Sequence, residues 1–162
     1  EKLIPLCLVN ILNGKPIPIY GDGKQIRDWL YVDDHSRGIE LVIRNGIRGE
    51  TYNIGGNHEC ANIDVANLLC NIIDARFAEC SKLCDRYPKS PSASKKSART
   101  LITFVENRPG HDTRYAINTS KICKGLSYMQ QENFDSGLKK TVDWYLDNEL
   151  WWTAILNGSY RN

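Results

Sequence analysis

Residues 16–34 read PIPIYGDGKQIRDWLYVDD, and this stretch sets the type of fold. Apolar residues from 17 to 20 predict a short strand, and the glycines of GDGKQ permit the positive φ angles of a tight connection. A second strand-like run extends from Arg27 to Val32, after which Asp33 and Asp34 supply the N-cap of a helix. A plain hairpin needs few of the polar and aromatic side chains found here, so the stretch also indicates a binding role.

The elements on either side of this stretch follow an α/β order with few, short strands. Because so few and such short strands are not expected to be stable alone, we expect a larger sheet to lie beside them. The predicted elements are a buried helix at 3–12, helices at 35–46 and 63–77 (the latter capped by Asn62), strands at 50–56 and 100–105, and helices at 118–128 and 133–152.

Composition places the chain among ordinary globular proteins, with 162 residues, 41% hydrophobic residues and a net charge of +2. No apolar run approaches the roughly 20 residues that cross a bilayer, so the sequence predicts a cytoplasmic protein without a membrane partner. The chain begins with Glu1 rather than Met, and its first helical pattern starts almost at once. We therefore expect the protein to extend upstream.

Positive charge is concentrated in one segment, at about 81–100, which is also rich in serine. Between Lys82 and Arg99 the local charge is +5, which leaves −3 for the rest of the chain. Such a composition is typical of a solvated loop that does not order itself. A nucleic-acid contact would need a helix or an aromatic platform among these charges, and none is evident. The six cysteines contain no C-x-x-C pair, so reduced thiols are predicted rather than a zinc site.

Three polar clusters suggest a ligand, although each also has a simple structural explanation. A tyrosine and an arginine in a hairpin are often a cross-strand pair, an Arg-Pro-Gly run is often only a turn, and an asparagine before a helix is often its N-cap. No Ser-His-Asp arrangement, metal-ligand set or phosphate loop occurs, so the residues alone predict binding without chemistry. The clusters are Tyr20 with Arg27, Arg108 with His111, and Lys2 and Leu3 with Asn62.

Four motifs resemble, in this order, the carboxy-terminal part of the dTDP-glucose 4,6-dehydratase family, which belongs to the extended short-chain dehydrogenases/reductases. They are EKLIPL at 1–6, the stretch at 16–34, ETYNIGG at 50–56 and RPGHDTRYAI at 108–117. The resemblance implies an α/β fold, namely the substrate-binding carboxy-terminal part of an NAD(P)-binding Rossmann-like protein without its Rossmann half. Residues 1–162 would then form one nucleotide-sugar-binding domain, with the basic segment as a loop insertion.

The resemblance also implies roles for individual residues. It assigns Lys2 and Leu3 to substrate contacts from the first helix, Pro18 and Tyr20 to the base and sugar of the nucleotide, and Arg27 and Arg108 to the diphosphate. The implied substrate-binding set is Lys2, Leu3, Pro18, Tyr20, Arg27, Asn62, Asn107, Arg108, Pro109, Gly110 and His111. No catalytic, cofactor-binding or metal-binding residue is implied within these 162 residues.

The implied reaction converts dTDP-glucose to dTDP-4-keto-6-deoxyglucose and water, with NAD accepting a hydride and returning it. The resemblance places NAD and the catalytic Tyr-x-x-x-Lys and Thr-Asp-Glu groups in an amino-terminal Rossmann domain, and it suggests a homodimer formed through that half. This chain alone would then be inactive. Two alternatives remain open: another nucleotide-sugar epimerase or decarboxylase of the same family, or a free-standing, inactive sugar-nucleotide-binding remnant.

Overall fold

The structure, a computed structural model, describes residues 2–161 and combines two small sheets with a helical core. Its elements are α1 (Leu3–Leu12), β1 (Ile17–Tyr20), β2 (Ile26–Asp28), α2 (Val32–Asn45), β3 (Glu59–Ala61), α3 (Asn62–Glu79), α4 (Lys82–Arg86), β4 (Ile102–Val105), α5 (Ser120–Leu126), α6 (Phe134–Asp147) and α7 (Glu149–Leu156). Short 3₁₀ turns lie at Pro91–Ser94, Ala98–Leu101 and Ser159–Arg161.

The core forms where α1, α3 and α6 pack together. Helix α1 buries one side, and the apolar stripe of α3 faces it. Removing this apolar surface from water is the main stabilising contribution. The fully buried aliphatic side chains in this region are Leu8, Ile11, Leu12, Ile17, Ile19, Val65, Leu69, Ile73 and Val142.

The strands form two separate two-stranded sheets. Strands β1 and β4 are parallel, with Ile17 opposite Ile102 and Tyr20 opposite Val105. Strands β2 and β3 are antiparallel. Residues 113–115 extend the second sheet, because Ile26 pairs with Arg114 on the free edge of β2. The chain from 106 to 112 therefore runs from one sheet to the other.

Several predicted boundaries of helices and strands are wrong. The second strand ends at Asp28, and α2 begins at Val32, so Asp33 and Asp34 lie in its first turn instead of capping it. Asn62 likewise begins α3 without a side-chain cap, while its backbone N–H donates to the carbonyl of Gln25 at 3.1 Å. The single helix predicted at 133–152 is divided at Asn148 into α6 and α7.

The strand predicted at 50–56 is absent from the described residues, in which no strand pairs with this extended stretch. Instead the stretch leads into a tightly held turn. The backbone N–H groups of Gly56 and His58 both donate to the carboxylate of Asp28, each at 2.9 Å. A Cβ on Gly56 would lie 1.7 Å from the carbonyl oxygen of Trp29, so only glycine fits this approach.

The prediction of a solvated, unordered loop at about 81–100 is also wrong. The segment contains α4 and two 3₁₀ turns, and it packs against α3. Asp74 of α3 holds it in place by accepting hydrogen bonds from the hydroxyl groups of Ser92 (2.6 Å) and Ser97 (2.8 Å) and from the N–H of Ala98 (3.0 Å). The segment also buries Tyr87 and Ala98 in the core, so the Asp74 carboxylate and apolar contacts together order a stretch whose composition favours disorder. Its lysine side chains remain exposed.

Candidate functional site

An open cleft of about 1560 Å³ lies between the start of α1, the ends of β1 and β2, and the turn after residue 107. Most of the predicted substrate-binding residues line it, although they come from distant parts of the chain. The residues of that set in the cleft wall are Lys2, Leu3, Pro18, Tyr20, Arg27, Asn62, Arg108 and His111.

The remaining three members of the set lie next to the cleft. Pro109 and Gly110 line a smaller cavity of about 370 Å³ together with Arg27, Arg108 and His111. Asn107 lines neither space, but its side-chain oxygen lies 2.7 Å from Nδ1 of His111 and accepts the backbone N–H of Arg108 at 3.1 Å. Asn107 therefore shapes the turn that carries the other two side chains.

The Tyr20 ring contacts two other predicted site residues in the wall of the cleft. The guanidinium carbon of Arg108 lies 5.1 Å from the centre of the Tyr20 ring, and the His111 ring meets the same tyrosine edge-on at 5.9 Å. Because an aromatic face attracts a cation, this contact holds Arg108 at the mouth of the cleft. Arg108 makes no ion pair with any carboxylate in residues 2–161, so its charge is available to a ligand.

Arg27 reaches the same region from β2. Its Nη1 donates to the carbonyl of Ile26 at 2.7 Å, and its Nη2 donates to the carbonyl of Asp112 at 3.0 Å. No carboxylate within the described part of the chain pairs with Arg27, whereas Arg76 and Arg114 both form ion pairs elsewhere. The cleft wall therefore contains two arginines, Arg27 and Arg108, that lack a carboxylate partner among residues 2–161, and Lys2 lines the same cleft.

The positive charges of both arginines act on the imidazole of His111. Burial, and then the positive charges of Arg108 and Arg27, lower the pKa of His111 below its ordinary value. The imidazole is accordingly neutral at neutral pH. An anion that binds between the arginines would oppose this effect and favour protonation of His111.

Several cleft residues were not predicted from the sequence. Asp28, in the cleft wall, fixes the turn at residues 55–58 through the two backbone contacts described above. Gln130, outside the cleft wall, also holds this turn by donating to the carbonyl of Gly55 at 2.9 Å. These residues are polar loop or strand residues whose role depends on partners about 30 to 75 positions away, and no local motif reveals it. Others in the wall are Tyr31, His35, Ile54, Thr141 and Tyr145.

The glycine turns of this chain do not form a dinucleotide site. Such a site needs a glycine-rich turn that opens a helix, whose N-terminus then meets the diphosphate. Here GDGKQ leads into β2, and Gly55 and Gly56 lead into β3. In the described part of the chain there is also no cluster of three or more metal-binding side chains, and no helix has the length and apolar character required to cross a membrane.

Comparison with known proteins agrees with this architecture. The family model described as GDP-mannose 4,6 dehydratase matches residues 1–141. The chain belongs to this family. A dTDP-glucose 4,6-dehydratase of Neisseria meningitidis serogroup B (strain ATCC BAA-335 / MC58) is 50% identical over 161 residues, which are 99% of this chain and 42% of that protein.

Solved structures of the same enzyme class give the same result. The dTDP-glucose 4,6-dehydratase of Bacillus anthracis, determined in complex with NAD, is 38% identical with a TM-score of 0.75, and the match covers 94% of this chain and 42% of that one. The enzyme from Streptomyces venezuelae, also determined with NAD bound, gives 38% identity and a TM-score of 0.74, covering 94% and 40%. The chain thus spans about two fifths of the length of these family members.

The match falls on the carboxy-terminal part of these family members, which confirms the predicted fold class. The fold is the α/β carboxy-terminal portion of an extended short-chain dehydrogenase/reductase. The predicted resemblance to the dTDP-glucose 4,6-dehydratases is likewise confirmed.

Proposed function

We propose that this chain is the nucleotide-sugar-binding portion of an NAD-dependent dTDP-glucose 4,6-dehydratase. The observation that carries the proposal is the pair of arginines, Arg27 and Arg108, which converge on one cleft without a carboxylate partner among residues 2–161. A cation that is not paired within the protein is suited to a ligand anion, and two guanidinium groups suit a diphosphate.

The same cleft supplies contacts for a nucleoside. Tyr20 is 40% exposed, and Pro18 precedes it on β1, so an aromatic face and a rigid apolar ring lie beside the cations. Asn62, at the first position of α3, adds an amide that can donate and accept hydrogen bonds. The 46–50% identity to proteins described as dTDP-glucose 4,6-dehydratases supports thymidine as the nucleoside.

In this proposal the residues of the chain contribute to catalysis by positioning. They hold the nucleoside diphosphate at one end, so that the glucose ring is presented to groups that other parts of the protein supply. Fixing a substrate in this way lowers the entropic part of the activation barrier. The proposed overall reaction removes water from dTDP-glucose and gives dTDP-4-keto-6-deoxyglucose.

The proposal carries further expectations for the complete protein. NAD would be bound by an amino-terminal Rossmann domain, since the glycine turns of this chain do not fit a dinucleotide. We further propose a cytoplasmic enzyme that forms a homodimer through that domain, and a chain of 162 residues that is inactive by itself. The proposed partners are dTDP-glucose and the amino-terminal domain.

Calorimetric titration with dTDP, UDP and GDP tests the binding role directly. The chain should bind dTDP more tightly than the other two nucleotides. Arg108→Gln should weaken dTDP binding about 10- to 100-fold, because a hydrogen bond to a charged group is worth roughly 1.5–3 kcal/mol. Arg44→Gln is the matched control, since Arg44 is an exposed arginine of α2 that pairs with Glu40 outside the cleft.

Each outcome of this titration bears on the proposal. A clear preference for UDP would favour a related epimerase or decarboxylase, and equal weakening by both substitutions would contradict the assigned role of Arg108. In the complete enzyme, Arg108→Ala should raise the KM for dTDP-glucose much more than it lowers kcat. An unchanged KM would refute the assignment.

A further inference from the structure

Arg27 has an unusual environment for a residue proposed to bind a ligand, because groups of the protein already accept hydrogen bonds from part of its guanidinium. Two of its N–H groups donate to the carbonyls of Ile26 and Asp112. Its Cζ also lies 5.4 Å from the centre of the Tyr115 ring. A guanidinium has five N–H donors in one plane, so three donors of Arg27 remain for a ligand.

Tyr115 is itself fixed in position through its backbone. Its N–H donates to the carbonyl of Ile26 at 3.0 Å, while the N–H of Ile26 donates to the carbonyl of Thr113 at 2.8 Å. The neighbouring Arg114 forms two hydrogen bonds to the carboxylate of Glu59 on β3, at 2.6 and 2.7 Å. The backbone of Tyr115 and the two residues before it are therefore fixed to the second sheet.

Tyr115 lies beside the main cleft but is not part of its wall. Arg27 lines the main cleft and two smaller cavities, of about 370 and 300 Å³. Tyr115 lines both smaller cavities, and the larger of them also contains Arg108 and His111. The ring can thus direct the Arg27 guanidinium toward a bound diphosphate from a position outside the main cleft.

We propose that Tyr115 is a positioning residue of the diphosphate site. Its ring and the carbonyls of Ile26 and Asp112 form a cradle that holds the Arg27 guanidinium toward the cleft. This inference rests on the proposed function for its ligand, but the cradle itself is a property of the ligand-free chain. The cradle also connects β2 to the turn that carries Arg108, since the Asp112 carbonyl belongs to that turn.

Nuclear magnetic resonance of the arginine side chains tests the cradle without any ligand. In the ¹⁵N-labelled chain, Arg27 should show separate Nη1 and Nη2 signals, because its guanidinium rotates slowly about the Nε–Cζ bond. Arg48 is the internal reference, since it is exposed and its guanidinium has no partner among residues 2–161. Tyr115→Leu should merge the Arg27 signals, and Tyr115→Phe should retain them. Averaging of Arg27 as fast as that of Arg48 in the unsubstituted chain would overturn the proposal.

Binding experiments then measure the consequence for an anion. Inorganic pyrophosphate and dTDP are titrated into each variant, so that an effect on the diphosphate is separated from an effect on the base. Tyr115→Leu should weaken both by about two- to fivefold, which corresponds to the loss of one exposed cation–π contact. Tyr115→Phe should stay within about twofold of the unsubstituted chain, because the ring that contacts Arg27 remains.

Phe104→Leu is the matched control. Phe104 is 58% exposed and Tyr115 is 57% exposed, and Phe104 lines none of the three cavities around Arg27. Equal affinities of Tyr115→Leu and Tyr115→Phe would refute the positioning role. If the unsubstituted chain bound neither pyrophosphate nor dTDP, the proposed function would fail, and the side-chain spectra would still decide whether the cradle exists.

Discussion

Asp34 offers the sharpest test of how the residues around the cleft are held. Its side chain is fully buried at the start of α2, and it accepts the backbone N–H groups of Gln131 at 2.8 Å and Glu132 at 3.1 Å. It also forms an ion pair with Arg37. The carboxylate thus joins α2 to the turn before α6, and Gln130 in that turn holds Gly55.

The expected cost of Asp34→Ala follows from these contacts. A hydrogen bond to a charged group contributes roughly 1.5–3 kcal/mol, and two backbone donors would lose theirs. Water can reach Gln131, which is exposed, so the lower end of the range applies. We expect a loss of about 3 kcal/mol in the free energy of unfolding, or about 6–12 °C in Tm for a domain of this size. Asp34→Asn keeps one acceptor oxygen and should cost about 1–2 kcal/mol.

The pH dependence provides a second measurement on the same residue. Burial alone would raise the pKa of Asp34, but hydrogen bonds from Gln131, Arg37 and Glu132 outweigh burial and keep the pKa below its ordinary value. A carboxyl with a depressed folded-state pKa stabilises the fold above its unfolded-state pKa, near 3.9, and this contribution is lost as the pH falls through the folded-state value. The difference between Asp34→Asn and the unsubstituted chain should be constant from pH 5 to 8 and shrink below about pH 4.

Urea denaturation at several pH values measures both effects, with Asp33→Ala as the control. Asp33 is exposed in the same helical turn, so its removal reports the helix-dipole contribution of an acidic residue there, about 0.3–1 kcal/mol. Equal free energies of unfolding for the Asp34→Ala and Asp33→Ala variants at pH 7 would refute the reasoning. A difference in stability between Asp34→Asn and the unsubstituted chain that is as large at pH 3 as at pH 7 would also refute it.

Three further variants test other parts of the structure. Gly56→Ala should destabilise the chain by about 2–3 kcal/mol, because its Cβ would overlap a backbone carbonyl; Gly125→Ala, in open space on α5, should be neutral or stabilising in the same thermal melts. Asp74→Ala should speed amide hydrogen exchange throughout residues 90–99 with little change at the cleft, and unaltered exchange would mean that other contacts order the segment. Affinity for dTDP-glucose should rise as the pH falls from 8 to 6, because a bound diphosphate raises the lowered pKa of His111, and His111→Gln should abolish this slope.

The sequence predicts the helical core well because the evidence for it is local. The apolar pattern of α1 and the stripe of α3 lie within single segments, so 3.6-residue periodicity is sufficient to find them. The strands β1 and β4 were predicted for the same reason. Helix ends are predicted less well, since Asp34 and Asn62 have the chemistry of N-caps, but the Asp34 carboxylate binds partners elsewhere in the fold and Asn62 begins α3 without capping it.

The errors at 81–100 and at 50–56 have the same physical origin. The basic segment is held by Asp74, a residue of another helix, and by the burial of Tyr87 and Ala98 in the core, and neither its charge nor its serine content predicts these contacts. The stretch at 50–56 has the residues of a strand, but a strand also requires a neighbour, and none pairs with it within the described part of the chain. In both cases residues outside the segment decide its structure.

The site could be predicted only in part for a related reason. Tyr20 and Arg27 are close in sequence, so a shared wall was a reasonable inference, but the approach of Arg108 depends on how the two sheets are joined. The chain leaves β4, turns at 107–112, and pairs with β2 at 113–115, which brings the second arginine to the first.

Arg27 and Arg108 form a cation pair at the junction between the two sheets. We expect the geometry of this cation pair to depend more on substitutions at the junction than on substitutions in the core. Neither two-stranded sheet is expected to be stable alone, and each depends on the helices beneath it. The cation pair lies between the sheets, where Arg27 is held by carbonyls of β2 and of the connecting turn. We therefore expect a core substitution to lower the free energy of unfolding without changing the positions of the two arginines in the folded chain. We expect a substitution at the junction, in contrast, to change the separation of the two like charges, and so to weaken diphosphate binding more than it lowers the free energy of unfolding.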